Sequence, residues 1–111
     1  MGEVITYMNA GELGMFCQIK LDSEERILIS IGKEDKTPES PAGIKICELD
    51  FRGLTPIRTI WETTDLTEMI HLFMLDDDKK PVEKTLLDCV KDKLINSKSI
   101  KEVKEKLVGK R

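Results

Sequence analysis

The chain has 111 residues, 40% of them hydrophobic and 35% charged, and its formal net charge at neutral pH is −3. This length and composition predict one domain, 1–111, that can bury a core without disulfide or metal staples. No apolar run approaches the roughly 18 residues that a membrane-spanning helix needs. The first residues lack the basic and apolar regions of a signal peptide, so we expect a cytoplasmic protein that does not act at a membrane.

Cysteine and histidine are too sparse for a structural metal site. Cys17, Cys47 and Cys89 are far apart, no CxxC pair occurs, and His71 is the only histidine. A zinc site needs four such ligands, usually at short spacing. We therefore expect no metal, no cofactor and three free thiols, which fit a reducing cytoplasm.

Charge is distributed unequally along the chain. Residues 1–78 carry seven basic and sixteen acidic side chains, a net charge of −9, whereas residues 79–111 carry eleven and five, a net charge of +6. The secondary-structure pattern changes near the same place, from a β-rich half (1–62) to a helical half (63–111). Opposite charges can attract within one molecule or drive association between copies.

In chain order the β-rich half begins with a short predicted strand at 4–8, and Gly11 and Gly14 mark a turn. Two alternating segments, 15–22 and 26–33, predict an antiparallel hairpin. One face of this hairpin is expected to be buried and carries Met15, Cys17, Ile19, Leu21, Ile27, Ile29 and Ile31. The opposite face carries Gln18, Lys20, Leu28 and Ser30.

The segment 33–43 contains two prolines and a glycine and predicts a mobile loop. A third strand is predicted at 44–51, but its alternation slips. The apolar pattern moves from one face, with Ile44 and Ile46, to the other, with Cys47, Leu49 and Phe51. The slip predicts a bulge near Cys47–Glu48, or a strand buried on both faces. A fourth strand is predicted at 57–62.

Three helices are predicted in the second half. The first begins near Asp65, runs to about Leu75 and is apolar on most of its circumference, which indicates a core position or a partner interface. The second covers 81–95, and the last begins at Ser99, which together with Glu102 forms a capping pair. The predicted fold class is α+β: an antiparallel sheet of four to five short strands, followed by about three helices. A partly open barrel with a helical appendage is the alternative.

No nucleotide-binding glycine motif is present, and an enzyme hypothesis would depend on His71 and Cys89 alone. We therefore expect a non-enzymatic binding or regulatory module that acts through protein–protein contacts, with a homodimer as one form. The expected partner-binding residues are Trp61, Leu72, Leu75, Lys36 and Pro38. Trp61 is a typical interface anchor, and the proline-bearing loop is a typical recognition element.

The basic C-terminal half supports an alternative, a nucleic-acid-associated protein. Its expected contacts to phosphate are Lys91, Lys93, Lys98, Lys101, Lys110 and Arg111. Glutamates alternate with several of these lysines, and no aromatic residue follows Phe73 to stack on bases. The basic residues are therefore also consistent with an ordinary solvated surface.

Overall fold

A computed structural model describes residues 2–9, 14–32, 43–64 and 83–108. It contains five strands followed by two helices, so the predicted α+β class is confirmed. The elements are β1 (Glu3–Asn9), β2 (Met15–Lys20), β3 (Arg26–Gly32), β4 (Gly43–Leu49), β5 (Pro56–Thr63), α1 (Glu83–Leu94) and α2 (Ile100–Leu107). The described part thus has one helix fewer than predicted. The predicted helix that begins at Asp65, the predicted loop 33–43 up to residue 42, and Gly11 lie outside the described residues.

The five strands form one antiparallel sheet in the order β1-β2-β3-β4-β5. Each strand therefore pairs with its neighbour in the sequence. Within the described strands, β1 and β5 form the two edges, which makes the sheet open and not a closed barrel. A meander of this kind forms from local connections.

The helices cover one face of the sheet. The predicted hairpin and its core face are confirmed, because Cys17, Ile19, Ile27 and Ile29 are fully buried. α1 packs against β2 and β3, and α2 reaches β5. The helix residues in this core are Leu87, Val90, Leu94, Ile100, Val103 and Leu107. Each large aliphatic side chain buried in this way contributes roughly 1.5–3 kcal/mol, so this interface holds the two halves of the chain together.

Caps and turns connect the helices to the sheet. Ser99 is the N-cap of α2, as predicted, and its hydroxyl accepts a hydrogen bond from the Glu102 amide. Glu25, in the β2–β3 turn, accepts hydrogen bonds from the Ser23 hydroxyl at 2.8 Å and from the Ile100 amide at 3.1 Å. Gly2 donates its amide hydrogen to the Ile95 carbonyl, just after α1. The first and last elements of the fold are therefore tied to the same end of the sheet.

The predicted slip in the third strand has a clear structural cause. β4 keeps a regular register with β3, but its register with β5 shifts between Ile46 and Cys47 and between Glu48 and Leu49. The extra residues belong to β5, where Ile60 and Ile57 have no paired residue in β4. Cys47 and Leu49 are both buried on the face opposite Ile44 and Ile46, so β4 is buried on both faces, which was one of the two predicted alternatives.

Two predicted positions differ in the structure. β4 ends at Leu49, and Phe51 lies in the following turn with 83% of its surface exposed, although it was expected to continue the strand. Asp50 begins that turn by accepting amide hydrogens, which ends the strand pairing. Gln18, expected on a polar face, is only 9% exposed because the same turn folds over it.

Candidate functional site

The face of the sheet opposite the helices, here called the open face, contains a groove of about 260 Å³. The residues that line this open-face groove are Thr6, Met8, Phe16, Gln18, Leu28, Leu49, Gly53, Leu54 and Pro56. Thr6 and Met8 are in β1, Gly53 and Leu54 are in the β4–β5 loop, and the other five residues are distributed over the remaining four strands. The groove therefore crosses the whole width of the sheet.

Strand pairing makes the floor of the groove apolar. Met8 lies directly opposite Phe16, and Leu28 lies directly opposite Cys47. The slip in β4 adds Leu49 to the same face. Phe16 and Leu28 are half-buried, so each retains surface that a partner can cover. The result is a nearly continuous apolar band on a face that these helices do not cover.

The β4–β5 loop forms one wall of the groove. The Asp50 carboxylate accepts hydrogen bonds from the Leu54 amide at 2.9 Å and from the Thr55 amide at 3.3 Å. The Leu54 hydrogen bond, more than the further contacts to Thr55 and Arg52, holds the pKa of Asp50 below its ordinary value. This carboxylate therefore shapes the loop while it is ionised.

The loop is fixed to the groove floor through Gln18. The Gln18 side-chain amide donates to the Gly53 carbonyl at 3.1 Å, and its carbonyl oxygen accepts from Nη1 of Arg26 at 2.9 Å. Gly53 has a φ of +72°, a conformation that favours glycine. The hydrogen bonds of Gln18 satisfy a polar side chain that would otherwise be costly to bury.

Large apolar side chains are exposed around the groove. Leu54 is 72% exposed and Met8 is 51% exposed, and Phe51 projects from the tip of the same loop beneath the Arg52 guanidinium. Exposed apolar side chains that cluster beside a groove are typical of interaction sites, whereas isolated ones are ordinary. The groove is smaller than the roughly 300–1,000 Å³ of small-molecule pockets. Its size fits a few side chains of a partner.

Of the residues predicted to bind a partner, the structure describes only Trp61, and Trp61 does not line this groove. Trp61 lies opposite Ile46, half-buried against the core on the helix-covered face. Lys36, Pro38, Leu72 and Leu75 lie outside the described residues. Sequence reasoning missed Met8, Phe16, Leu28 and Leu54. The available signal was that Phe16 and Leu28 are apolar at positions where the alternation places polar residues.

The structure describes four of the six predicted nucleic-acid residues. Lys91 lies 3.9 Å from Asp88 and 3.8 Å from Asp92, and the Lys93 carbonyl accepts a hydrogen bond from Lys106. Lys98 and Lys101 are exposed, at and just before the start of α2. Lys110 and Arg111 lie outside the described residues.

The structure describes only one of the two residues of the enzyme hypothesis. His71 lies outside the described residues. Cys89 is half-buried, and burial, followed by Asp92 and Asp88, raises the pKa of its thiol. A nucleophilic thiolate needs the opposite shift. Cys17 is buried, and burial raises its pKa as well.

Two further observations concern ligand classes. Among residues 2–9, 14–32, 43–64 and 83–108, no three His, Cys, Asp or Glu side chains are grouped so that they could hold a metal ion. Neither described helix is long and apolar enough to cross a membrane.

No protein-family model matches the chain, and no curated protein or solved structure matches it.

Proposed function

We propose that this chain is a non-enzymatic protein-binding module whose binding surface is the open-face groove. The observation that carries the proposal is the placement of Met8, Phe16, Leu28 and Leu54 around one groove on the face opposite α1 and α2. Burying such side chains against a partner would gain roughly 25 cal/mol for each Å² of apolar surface removed from water.

The geometry favours an extended segment of another protein as the partner. The groove has a volume of only about 260 Å³, and an edge strand and a turn contribute to its lining. Alternate side chains of an extended backbone point to the same side, so two or three of them could enter the groove together. Leu54 and Met8, on opposite walls, would act as the apolar anchors.

Site-specific photocrosslinking tests this proposal in cells that naturally make the protein. A photoreactive amino acid is placed at position 54, beside the groove, and in a matched chain at position 108. Val108 is the control because it is apolar and 56% exposed but lies at the end of α2. We expect the chain with the photoreactive residue at position 54 to crosslink to one discrete protein, and the chain with it at position 108 not to crosslink to that protein.

The crosslinked protein is then purified and its affinity for the intact chain is measured by calorimetry. Leu54→Asp and Met8→Asp should each weaken binding by roughly tenfold or more, because an interface anchor is worth about 1.4 kcal/mol or more. Val108→Asp should leave the affinity unchanged. Equal effects of all three substitutions, or no direct binding of the purified protein, would contradict the proposal. A crosslinked homodimer would instead assign the groove to self-association.

A second candidate function is association with nucleic acid through α2. It is supported by the exposure of Lys98 and Lys101 near the start of that helix. Fluorescence anisotropy of labelled RNA and DNA oligonucleotides, at low and near-physiological salt, tests it. Phosphate contacts predict tight binding at low salt, a steep fall with salt, and loss of binding in Lys98→Glu and Lys101→Glu. Absence of binding at low salt would exclude this function for the chain.

A further inference from the structure

Two positive charges lie side by side at one end of the open face. Lys20 in β2 and Arg26 in β3 are directly opposite each other in the antiparallel register. Both positions share the face of Gln18 and Leu28, and both residues are half-buried. Like charges at directly opposed positions repel and lower the stability of a sheet. Such a pair therefore needs an explanation, particularly in the acidic half of the chain.

No carboxylate of the described residues forms an ion pair with either side chain. The nearby acids have other partners, because Glu48 lies 3.3 Å from Arg58 and Asp50 lies 3.3 Å from Arg52. Glu3 is opposite Lys20 in register but makes no ion pair with it within the described structure. Neither cation therefore has a carboxylate of the described residues within ion-pair distance.

The Arg26 guanidinium also has unused hydrogen-bonding capacity. Its Nη1 donates to Gln18, whereas its Nε is buried and has no hydrogen-bond partner among the described residues. A buried donor without an acceptor destabilises the folded chain. An arginine fork matches the two oxygens of a carboxylate better than any other side chain does.

This charged pair is continuous with the open-face groove. Gln18, which contacts Arg26, lines the groove, and a Cβ atom at Gly53 would lie 3.0 Å from Nη1 of Arg26. The apolar floor and the two cations therefore form one surface with an apolar part and a positive end. Charge complementarity then specifies the partner's chemistry more closely than the groove alone.

We infer that the partner segment carries an aspartate or glutamate next to its apolar anchors, and that this carboxylate lies between Lys20 and Arg26. The inference rests on the proposed function, because it names the chemistry of the segment that enters the groove. The carboxylate would offset the cross-strand repulsion between Lys20 and Arg26.

Selection from a random peptide library displayed on phage tests the inference with the intact chain as bait. The Leu54→Asp chain is used for counter-selection, so that retained peptides depend on the groove. We expect retained peptides to combine two or more large apolar residues with an acidic residue at a fixed spacing. A selected peptide is then synthesised in two forms, one with the acid and one with the corresponding amide, and their affinities are compared by fluorescence anisotropy.

The acid form should bind the wild-type chain at least tenfold more tightly than the amide form. Lys20→Gln and Arg26→Gln should each remove most of that preference, and Arg26→Lys should retain part of it. Lys45→Gln is the matched control, because Lys45 is an exposed lysine on β4, outside the groove and the charged pair, and it should leave the preference intact.

Retained peptides without acidic residues, or an equal affinity for the acid and amide forms, would overturn the inference while leaving the groove as a protein-binding site. If no selected peptide bound the wild-type chain in preference to the Leu54→Asp chain, the inference would also be overturned. The crosslinking experiment would then decide separately whether the proposed function stands.

Discussion

Gly53 lies directly over the side chain of Gln18, 35 residues earlier in the sequence. A Cβ atom at position 53 would overlap Oε1 of Gln18, and the φ of +72° already disfavours any other residue. This contact closes one end of the open-face groove and buries Gln18. The β4–β5 loop and the groove floor therefore depend on each other.

We expect Gly53→Ala to lower the free energy of unfolding by about 2 kcal/mol, because a left-handed backbone and a steric overlap both oppose the new methyl group. Urea denaturation measures the change. Gly43→Ala is the control, since a Cβ there makes only ordinary contacts, the nearest at 3.4 Å from Thr64. Equal effects of the two substitutions on the free energy of unfolding would contradict the close packing of Gly53 on Gln18.

Glu25 should stabilise the fold through α2. Its carboxylate accepts the Ile100 amide hydrogen near the helix N-terminus as well as the Ser23 hydroxyl. We expect Glu25→Ala to cost roughly 1.5–3 kcal/mol, the range for hydrogen bonds to a charged group. Thermal and urea unfolding measure the loss. Glu105→Ala, at an exposed position of the same helix, should change stability by less than about 0.5 kcal/mol.

Glu24 has a φ of +72° in the β2–β3 turn, where its amide donates to the Leu21 carbonyl at 2.9 Å. This conformation costs a non-glycine residue roughly 1–2 kcal/mol. Glycine avoids that cost, but it loses more backbone entropy on folding, which offsets part of the stabilisation. We therefore expect Glu24→Gly to raise the free energy of unfolding by about 0.5–1 kcal/mol. Glu24→Ala keeps the strain and should not raise it.

Lys20→Gln should stabilise the isolated chain while it weakens binding of an acidic peptide. Removing one member of a like-charged cross-strand pair relieves about 0.2–1 kcal/mol, and the exposed Glu3 carboxylate opposite Lys20, which forms no ion pair with it, offsets less than that. Urea denaturation at low salt gives the sign, and added salt should narrow the difference from wild type because it screens the repulsion. A clear loss of stability in Lys20→Gln would mean that the charge is compensated in the free chain, which would weaken the argument for a partner carboxylate.

The β4–β5 loop should respond to acid through Asp50. Because the folded-state pKa of Asp50 lies below its ordinary value, ionised Asp50 stabilises the folded loop at neutral pH. That contribution is lost as the pH falls from the ordinary aspartate pKa through the lowered one. We expect Asp50→Asn to be less stable than wild type at neutral pH, and the difference to shrink below about pH 4. A difference that stayed constant with pH would contradict this role.

Much of the sheet could be read from local patterns. The alternation at 15–22 and 26–33 placed Cys17 and Ile29 on the core face, and the slip after Ile46 indicated either a bulge or burial of β4 on both faces. Sequence reasoning did not place the unpaired residues in β5, because a register shift is a relation between two strands. It also placed Gln18 on a polar face, because no local pattern shows that a later loop covers this residue.

The sequence by itself determined the hairpin, its core face and the Ser99 cap, because these follow from spacing between near neighbours. Only the tertiary structure decided which apolar residues lie outside the core. The helices cover the isoleucine face, so Met8, Phe16, Leu28 and Leu54 are left around a groove on the other face. It also decided that Arg26, Gln18 and Gly53 meet at one end of that groove, because contacts between distant residues depend on how the whole chain packs.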